Sequence, residues 1–186
     1  MSETTGVLAL QGGFDAHIRM LETLGCRGIA VKTAARLDHC SRLILPGGES
    51  TVMNRLLSAG DLRTELIRRI QGGMPVFGTC AGLILLSSGV AWSCQETLGL
   101  LDCTVRRNAY GRQTESFETD LNWDYRSIPG IFIRAPRIEE TGPECRCLIR
   151  YEDSPVLVRQ NNILAASFHP ELTESPEVHS YFLKMK

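Results

Sequence analysis

Residues 70–95 carry no charged side chain, and this run constrains the fold more than any other feature of the 186-residue chain. A membrane-spanning helix would need such a stretch. Here it is broken by Gly72, Gly73, Pro75, Gly78, Gly82 and Gly89. Glycine and proline at that density interrupt a spanning helix, so the run reads as a buried strand, a sharp turn and a buried helix. The strand is expected over Met74–Phe77 and the helix over Ala81–Ser88.

The residues before it repeat that rhythm. Thr5–Gln11, Gly28–Val31 and Arg42–Leu45 are short apolar runs, and the first and third end in Gly12–Gly13 and Pro46–Gly47–Gly48. Between them, Phe14, Ile18 and Leu21 recur at helical spacing. Ser50 or Thr51 is positioned to cap a helix running to about Ala59, and Asp61 to cap another. Alternating strands and helices predict a mostly parallel, flavodoxin-like three-layer α/β sheet with helices on both faces.

Beyond about Leu98 helices give way to strands: Thr104–Arg106, Glu115–Leu121, Ile131–Arg134, Cys145–Tyr151, Val156–Gln160 and Ile163–Phe168. They predict an antiparallel extension of the sheet in the C-terminal half. Ser175–Met185 reads as a closing helix with Pro176 in its first turn. No linker or repeat divides the chain, so residues 1–186 are expected to form one domain.

Charge excludes several function classes. Lys plus Arg total 20 and Asp plus Glu 21, for a net charge of −1. That balance gives no drive toward nucleic acid or membrane surfaces. The segment MSETTGVLALQGG includes Glu3, lacks a basic leader, and holds too short an apolar run for a signal peptide. The seven cysteines form no C-x-x-C pair and no metal-ligand ladder. Free thiols in a reducing cytoplasm are expected, with no metal.

One cysteine stands apart. Cys80 sits in Gly78–Thr79–Cys80–Ala81–Gly82, between the expected strand and helix. A glycine two residues to either side permits the tight turn of a nucleophile elbow, which exposes the central side chain at the sheet edge. Composition alone would yield about 0.06 such patterns in a chain like this. The helix that follows points its N-terminus at the sulfur and favours the thiolate.

A nucleophilic thiol needs a base. His17 and His179 lie within helices and His39 beside Asp38, so all three read as surface or helix-packing residues. His169 follows the strand Ile163–Phe168, at the strand end where α/β sheets place their sites. Glu171 lies two residues on, past Pro170. In extended backbone, side chains at i and i+2 share a face. Glu171 is therefore expected to hold one imidazole nitrogen while the other faces Cys80, as base and orienter. A third junction, Leu45–Pro46–Gly47–Gly48–Glu49–Ser50, offers amides that, with that of Ala81, could stabilise an oxyanion. It lacks G-K-[ST] and is no P-loop; the Gly12–Gly13 turn is no dinucleotide fingerprint.

These three elements resemble those of class I glutamine amidotransferases. More narrowly, LALQG (8–12), LPGGEST (45–51), FGTCAGLILL (77–86), RNAYGRQ (107–113), FIRAP (132–136) and SFHPELT (167–173) resemble the glutaminase subunits of pyridoxal 5′-phosphate synthases, in order along nearly the whole chain. The resemblance implies hydrolysis of L-glutamine to glutamate and ammonia. Cys80 would be the nucleophile, His169 the base and acid, and Glu171 its orienter. The amides of Gly48 and Ala81 would form the oxyanion hole. Glutamine would be held by Gly48, Glu49, Ser50, Arg107, Ile133 and Arg134. It also implies a partner, a separate (β/α)₈-barrel synthase subunit that receives the ammonia, and no cofactor in the glutaminase itself. The sequence departs from the family at Ala16, where an acidic residue usually precedes the histidine, and over Asn122–Pro129, where Trp123 and Tyr125 read as surface aromatics. The competing readings are another cysteine hydrolase on a related sheet, a glutaminase serving a different synthase, and a non-catalytic subunit that keeps the fold. The first leaves H-x-E, GRQ and IRAP unexplained, and the last predicts a broken triad.

Overall fold

The computed structural model describes residues 4–110 and 116–186. The first half alternates strands β1 (Thr4–Leu8), β2 (Arg27–Val31), β3 (Arg42–Leu45) and β4 (Val76–Thr79) with helices α1 (Phe14–Thr23), α2 (Ala34–Leu37), α3 (Ser50–Leu57), α4 (Leu62–Gln71) and α5 (Ala81–Leu86). Strands then dominate: β5 (Ser87–Val90), β6 (Leu101–Arg106), β7 (Ser116–Trp123), β8 (Arg126–Ile133), β9 (Arg137–Thr141), β10 (Arg146–Tyr151), β11 (Ser154–Gln160) and β12 (Ile163–Ala166). A 3₁₀ turn, Pro170–Leu172, and helix α6 (Glu177–Leu183) close the chain.

Seven strands form the central sheet in the order β10-β11-β12-β4-β3-β1-β2. β2, β1, β3, β4 and β12 run parallel, while β11 and β10 are antiparallel at one edge. The parallel part has the flavodoxin-like order.

Period-two alternation along each strand divides the core between the two faces. Leu8, Leu43, Leu45, Val76 and Ala165 pack with Met53, Leu66 and Leu83 of α3, α4 and α5. Val7, Ile44, Phe77 and Leu164 pack with Leu21 of α1 and Val178 and Phe182 of α6. Both strand faces are apolar, which is why these strands read as continuous runs rather than alternating ones.

Three local expectations change. Glu49, not Ser50 or Thr51, caps α3: its backbone is extended and its carboxylate accepts the Thr51 N–H at 3.3 Å. Asp61 precedes α4 in helical backbone and makes no side-chain cap bond. Helix α5 stops at Leu86, because Ser87 turns to extended geometry and enters β5.

The antiparallel half is also more divided than the sequence suggests. Only β10 and β11 extend the main sheet. β5-β6-β9 and the β7–β8 hairpin form separate small sheets. Apolar patterning marks a strand without naming its partner. The hairpin accounts for Asn122–Pro129: Trp123 packs edge-on against Tyr181 at 5.2 Å, while Tyr125 is exposed at the turn. No helix is long and apolar enough to cross a membrane among the described residues.

Candidate active site

Three adjacent strand ends carry the site. Parallel register pairs Leu45 of β3 with Gly78 of β4, and Thr79 of β4 with Ala166 of β12. The turn after β3 therefore presents Gly48, the turn after β4 presents Cys80, and the segment after β12 presents His169, side by side. All three lie at carboxyl ends, where open α/β sheets bind ligands.

The elbow is strained at its centre. Cys80 holds φ 48° and ψ −99°, a conformation that costs a non-glycine residue energy and persists only when its surroundings enforce it. The flanking glycines enforce it by close approach. A Cβ on Gly78 would lie 2.6 Å from the Gly82 carbonyl carbon, and one on Gly82 would collide with the Leu45 carbonyl oxygen. Cys80 N–H is tied to Ala166 O at 2.8 Å, fixing the turn to the next strand. Its sulfur, largely buried, lies 3.9 Å from Ile133 O and lines the same cleft as the His169 ring, whose pKa it helps to raise.

His169 Nδ1 lies 2.7 Å from Glu171 Oε1. The route differs from the extended one expected from sequence: Pro170–Leu172 is a 3₁₀ turn that folds the carboxylate back onto the ring. Burial alone would lower the His169 pKa, but its hydrogen bonds to Cys80 and Glu171 and their negative charge raise it to about 10. Burial likewise opposes ionisation of Glu171, yet its histidine neighbours hold the carboxyl well below the usual carboxylate range. Of the two rings, His169 supplies the charge, because burial holds His17 neutral.

A cleft of about 330 Å³ opens over these groups, within the size range of small-molecule sites. Gly48, Glu49, Ser50, Arg107, Ile133 and Arg134 all line it with Cys80, His169 and Glu171. Ala81 does not. It is buried at the first position of α5, where the N–H has no partner within the helix ladder. Arg107 donates to Glu49 Oε1 at 3.0 Å and to Gln95 Oε1 at 3.1 Å, and Gln95 donates to Ser50 Oγ at 2.9 Å. The Thr51 hydroxyl, against a cost of burial, and then the Thr51 amide and Arg107 lower the Glu49 pKa. Of the RNAYGRQ segment, Gly111, Arg112 and Gln113 lie outside the described residues.

Known proteins match the chain along nearly its whole length. The profile of the SNO glutamine amidotransferase family matches residues 7–186. The chain belongs to that family. The amidotransferase is 48% identical to "Pyridoxal 5'-phosphate synthase subunit PdxT" of Moorella thermoacetica, over 97% of both chains. It is 46% identical to the protein of that name from Francisella tularensis subsp. novicida, over the full length of each. A solved structure titled "Crystal structure of glutamine amidotransferase" superposes with a TM-score of 0.93 at 45% identity, covering 97% of both. The structure titled "Structure of PurLQS from Thermotoga maritima" superposes at 0.73 with 17% identity over 98% of each, a likeness of fold.

Several site residues escaped the sequence analysis as such. Gln11 lines the cleft and accepts the Glu49 N–H at 2.8 Å; its signal was the position after the first strand. Gln95 had none, since it joins Ser50 and Arg107 only through tertiary structure. His17 and His179 were read as surface or helix-packing residues. Both are fully buried, and His17 reaches Glu171.

Proposed function

We propose that this chain is the glutaminase of a pyridoxal 5′-phosphate synthase, hydrolysing L-glutamine to L-glutamate and ammonia for use by a synthase subunit. The observation that carries the reading is Cys80, His169 and Glu171 lining one cleft, with His169 Nδ1 2.7 Å from Glu171 Oε1, in a chain of this family. The Cys80 thiolate attacks the side-chain amide carbon, and the amides of Gly48 and Ala81 stabilise the oxyanion. His169 passes a proton to the departing nitrogen, ammonia leaves, and a γ-glutamyl thioester remains. Water then attacks that thioester as His169 takes its proton, and glutamate is released as Cys80 regains the thiolate. Glu171 fixes the imidazole tautomer and offsets its charge.

Arginine suits the substrate α-carboxylate, and the Glu49 carboxylate suits its α-ammonium. Arg107, Arg134 and Glu49 line the cleft with Ser50 and Ile133, which supports that reading. Residues 1–186 act as one amidotransferase domain in the cytoplasm. The ammonia passes to a separate (β/α)₈-barrel subunit, and the glutaminase uses no cofactor of its own.

The test is glutamate release from L-glutamine with and without the synthase subunit, with Cys80→Ala as control. Cys80-dependent release that rises with the partner supports both reaction and pairing. Release indifferent to the partner removes the pairing, and no release under either condition removes the reaction.

A further inference from the structure

Next to Glu171 lie two histidines that the hydrolysis does not use. His17 comes from α1 and His179 from α6, and both are 0% exposed. Their rings meet at His17 Nδ1 and His179 Nε2, 2.9 Å apart. His17 Nε2 lies 3.1 Å from the buried Thr79 hydroxyl and 3.5 Å from Glu171 Oε1.

Desolvation lowers the pKa of both rings, so each is neutral and carries one proton. The contact between them then needs one donor and one acceptor. His179 Nδ1 is buried and has no hydrogen-bond partner among the described residues. A bare acceptor is tolerated in a protein interior more readily than an orphaned N–H. The His179 proton therefore sits on Nε2 and is donated to His17 Nδ1. That leaves the His17 proton on Nε2, facing Thr79 and Glu171. Glu171 Oε2 is itself buried without a hydrogen-bond partner among the described residues, so Oε1 alone meets both the His169 and the His17 rings.

We infer that His17, with its tautomer set by His179, is a positioning residue that holds the Glu171 carboxylate in line with His169. This rests on the glutaminase reading above and adds to it a chain running from α6 through α1 to the triad. His17 touches no substrate. It acts by restricting rotation of a carboxylate whose other oxygen is unheld.

The experiment uses the glutaminase together with its synthase subunit. In the unmodified protein, nitrogen chemical shifts of ¹⁵N-labelled histidine should report the Nε2–H tautomer for both His17 and His179 near neutral pH. A His17 proton on Nδ1 overturns the inference and requires no variant to fold. For His17→Leu, kcat should fall tenfold or more with KM within twofold, and alkylation of Cys80 by iodoacetamide should slow in parallel. His17→Gln, which returns an N–H at the Nε2 position, should recover most of both. Unchanged kcat and alkylation in His17→Leu, even with a lower melting temperature, would reduce His17 to a packing residue. Equal losses in the two variants would do the same. If the unmodified protein releases no glutamate, the glutaminase reading fails, while the tautomers and the alkylation rates still decide whether this chain exists.

Discussion

Glu171 Oε1 sits 2.7 Å from His169 Nδ1 and 3.5 Å from His17 Nε2, so one carboxylate oxygen joins the His169 ring in the cleft to the fully buried His17 ring. The first of these contacts sets the His169 tautomer. Glu171→Gln keeps the shape but presents either an amide N–H or a neutral oxygen to that nitrogen. The expected result is a fall in kcat of roughly 10²–10⁴ with little change in KM. Steady-state glutamate release, with the synthase subunit present, measures it. A loss below threefold would remove Glu171 from the triad.

Acid stability should report the buried histidines. Desolvation lowers the pKa of His17, and lowers that of His179 to about 3. An unfolded chain titrates these rings near pH 6.5. Above that value neither state binds the protons. Below it the unfolded chain takes them up and the folded chain refuses them. Folding stability should therefore fall as the pH drops from about 6.5 toward about 3, by up to about 1.4 kcal/mol per pH unit for His179, with His17 acting in the same direction. Urea unfolding at a series of pH values checks this, and His179→Gln should flatten the slope. An equally steep slope in that variant would contradict the assignment.

The alkaline side has the opposite origin. His169 is raised to about 10 by Cys80 and Glu171, against the effect of its burial. Its contribution is fully present below about pH 6.5 and is lost as the pH climbs toward about 10. Cys80→Ala should weaken that decline, because one of the two partners that raise His169 is gone. The same urea series, extended to pH 10, reads it.

Gly82→Ala should be costly although the change is one methyl group. The added Cβ would collide with the Leu45 backbone carbonyl, which cannot swing away as a side chain could. Overpacking of this kind costs about 1–3 kcal/mol, or a melting temperature lower by at least about 3 °C. It should also displace the Cys80 turn and reduce kcat. A variant with unaltered melting and activity would show that β3 and α5 can part to admit the methyl group.

Arg107→Lys tests the substrate cradle. The guanidinium spans Glu49 Oε1 and Gln95 Oε1 at once, and one ammonium cannot reproduce that fork. Loss of about 1.5 kcal/mol of binding predicts a KM for glutamine about tenfold higher with kcat nearly unchanged. An unchanged KM would place Arg107 outside the binding set.

Much of this architecture was legible because it is written in local chemistry. Glycines two residues to either side of Cys80 announce an elbow, since close approach to Leu45 and the positive φ of Cys80 are demands made by neighbouring residues. The His169–Glu171 pairing was also legible, although by the wrong geometry: the two residues are so near in sequence that both an extended segment and a 3₁₀ turn bring them together. The strands β10 and β11 were visible as strands, but so were β6, β7 and β8, which joined other sheets. Patterning records which side of a strand is buried and is silent on which strand lies beside it.

The amino-acid sequence by itself determined the parallel α/β core, the elbow and the cysteine it presents, because each depends on residues within a few positions of one another. Only the tertiary structure decided what meets across the sheet. Gln95 reaching Ser50 and Arg107, and His17 set between His179 and Glu171, arise from segments up to 162 residues apart. A buried polar side chain must find a partner, but its identity follows from packing of whole elements. In the sequence His17 and His179 are two histidines on separate helices. Packed against the same sheet face, they become consecutive members of one hydrogen-bonded chain.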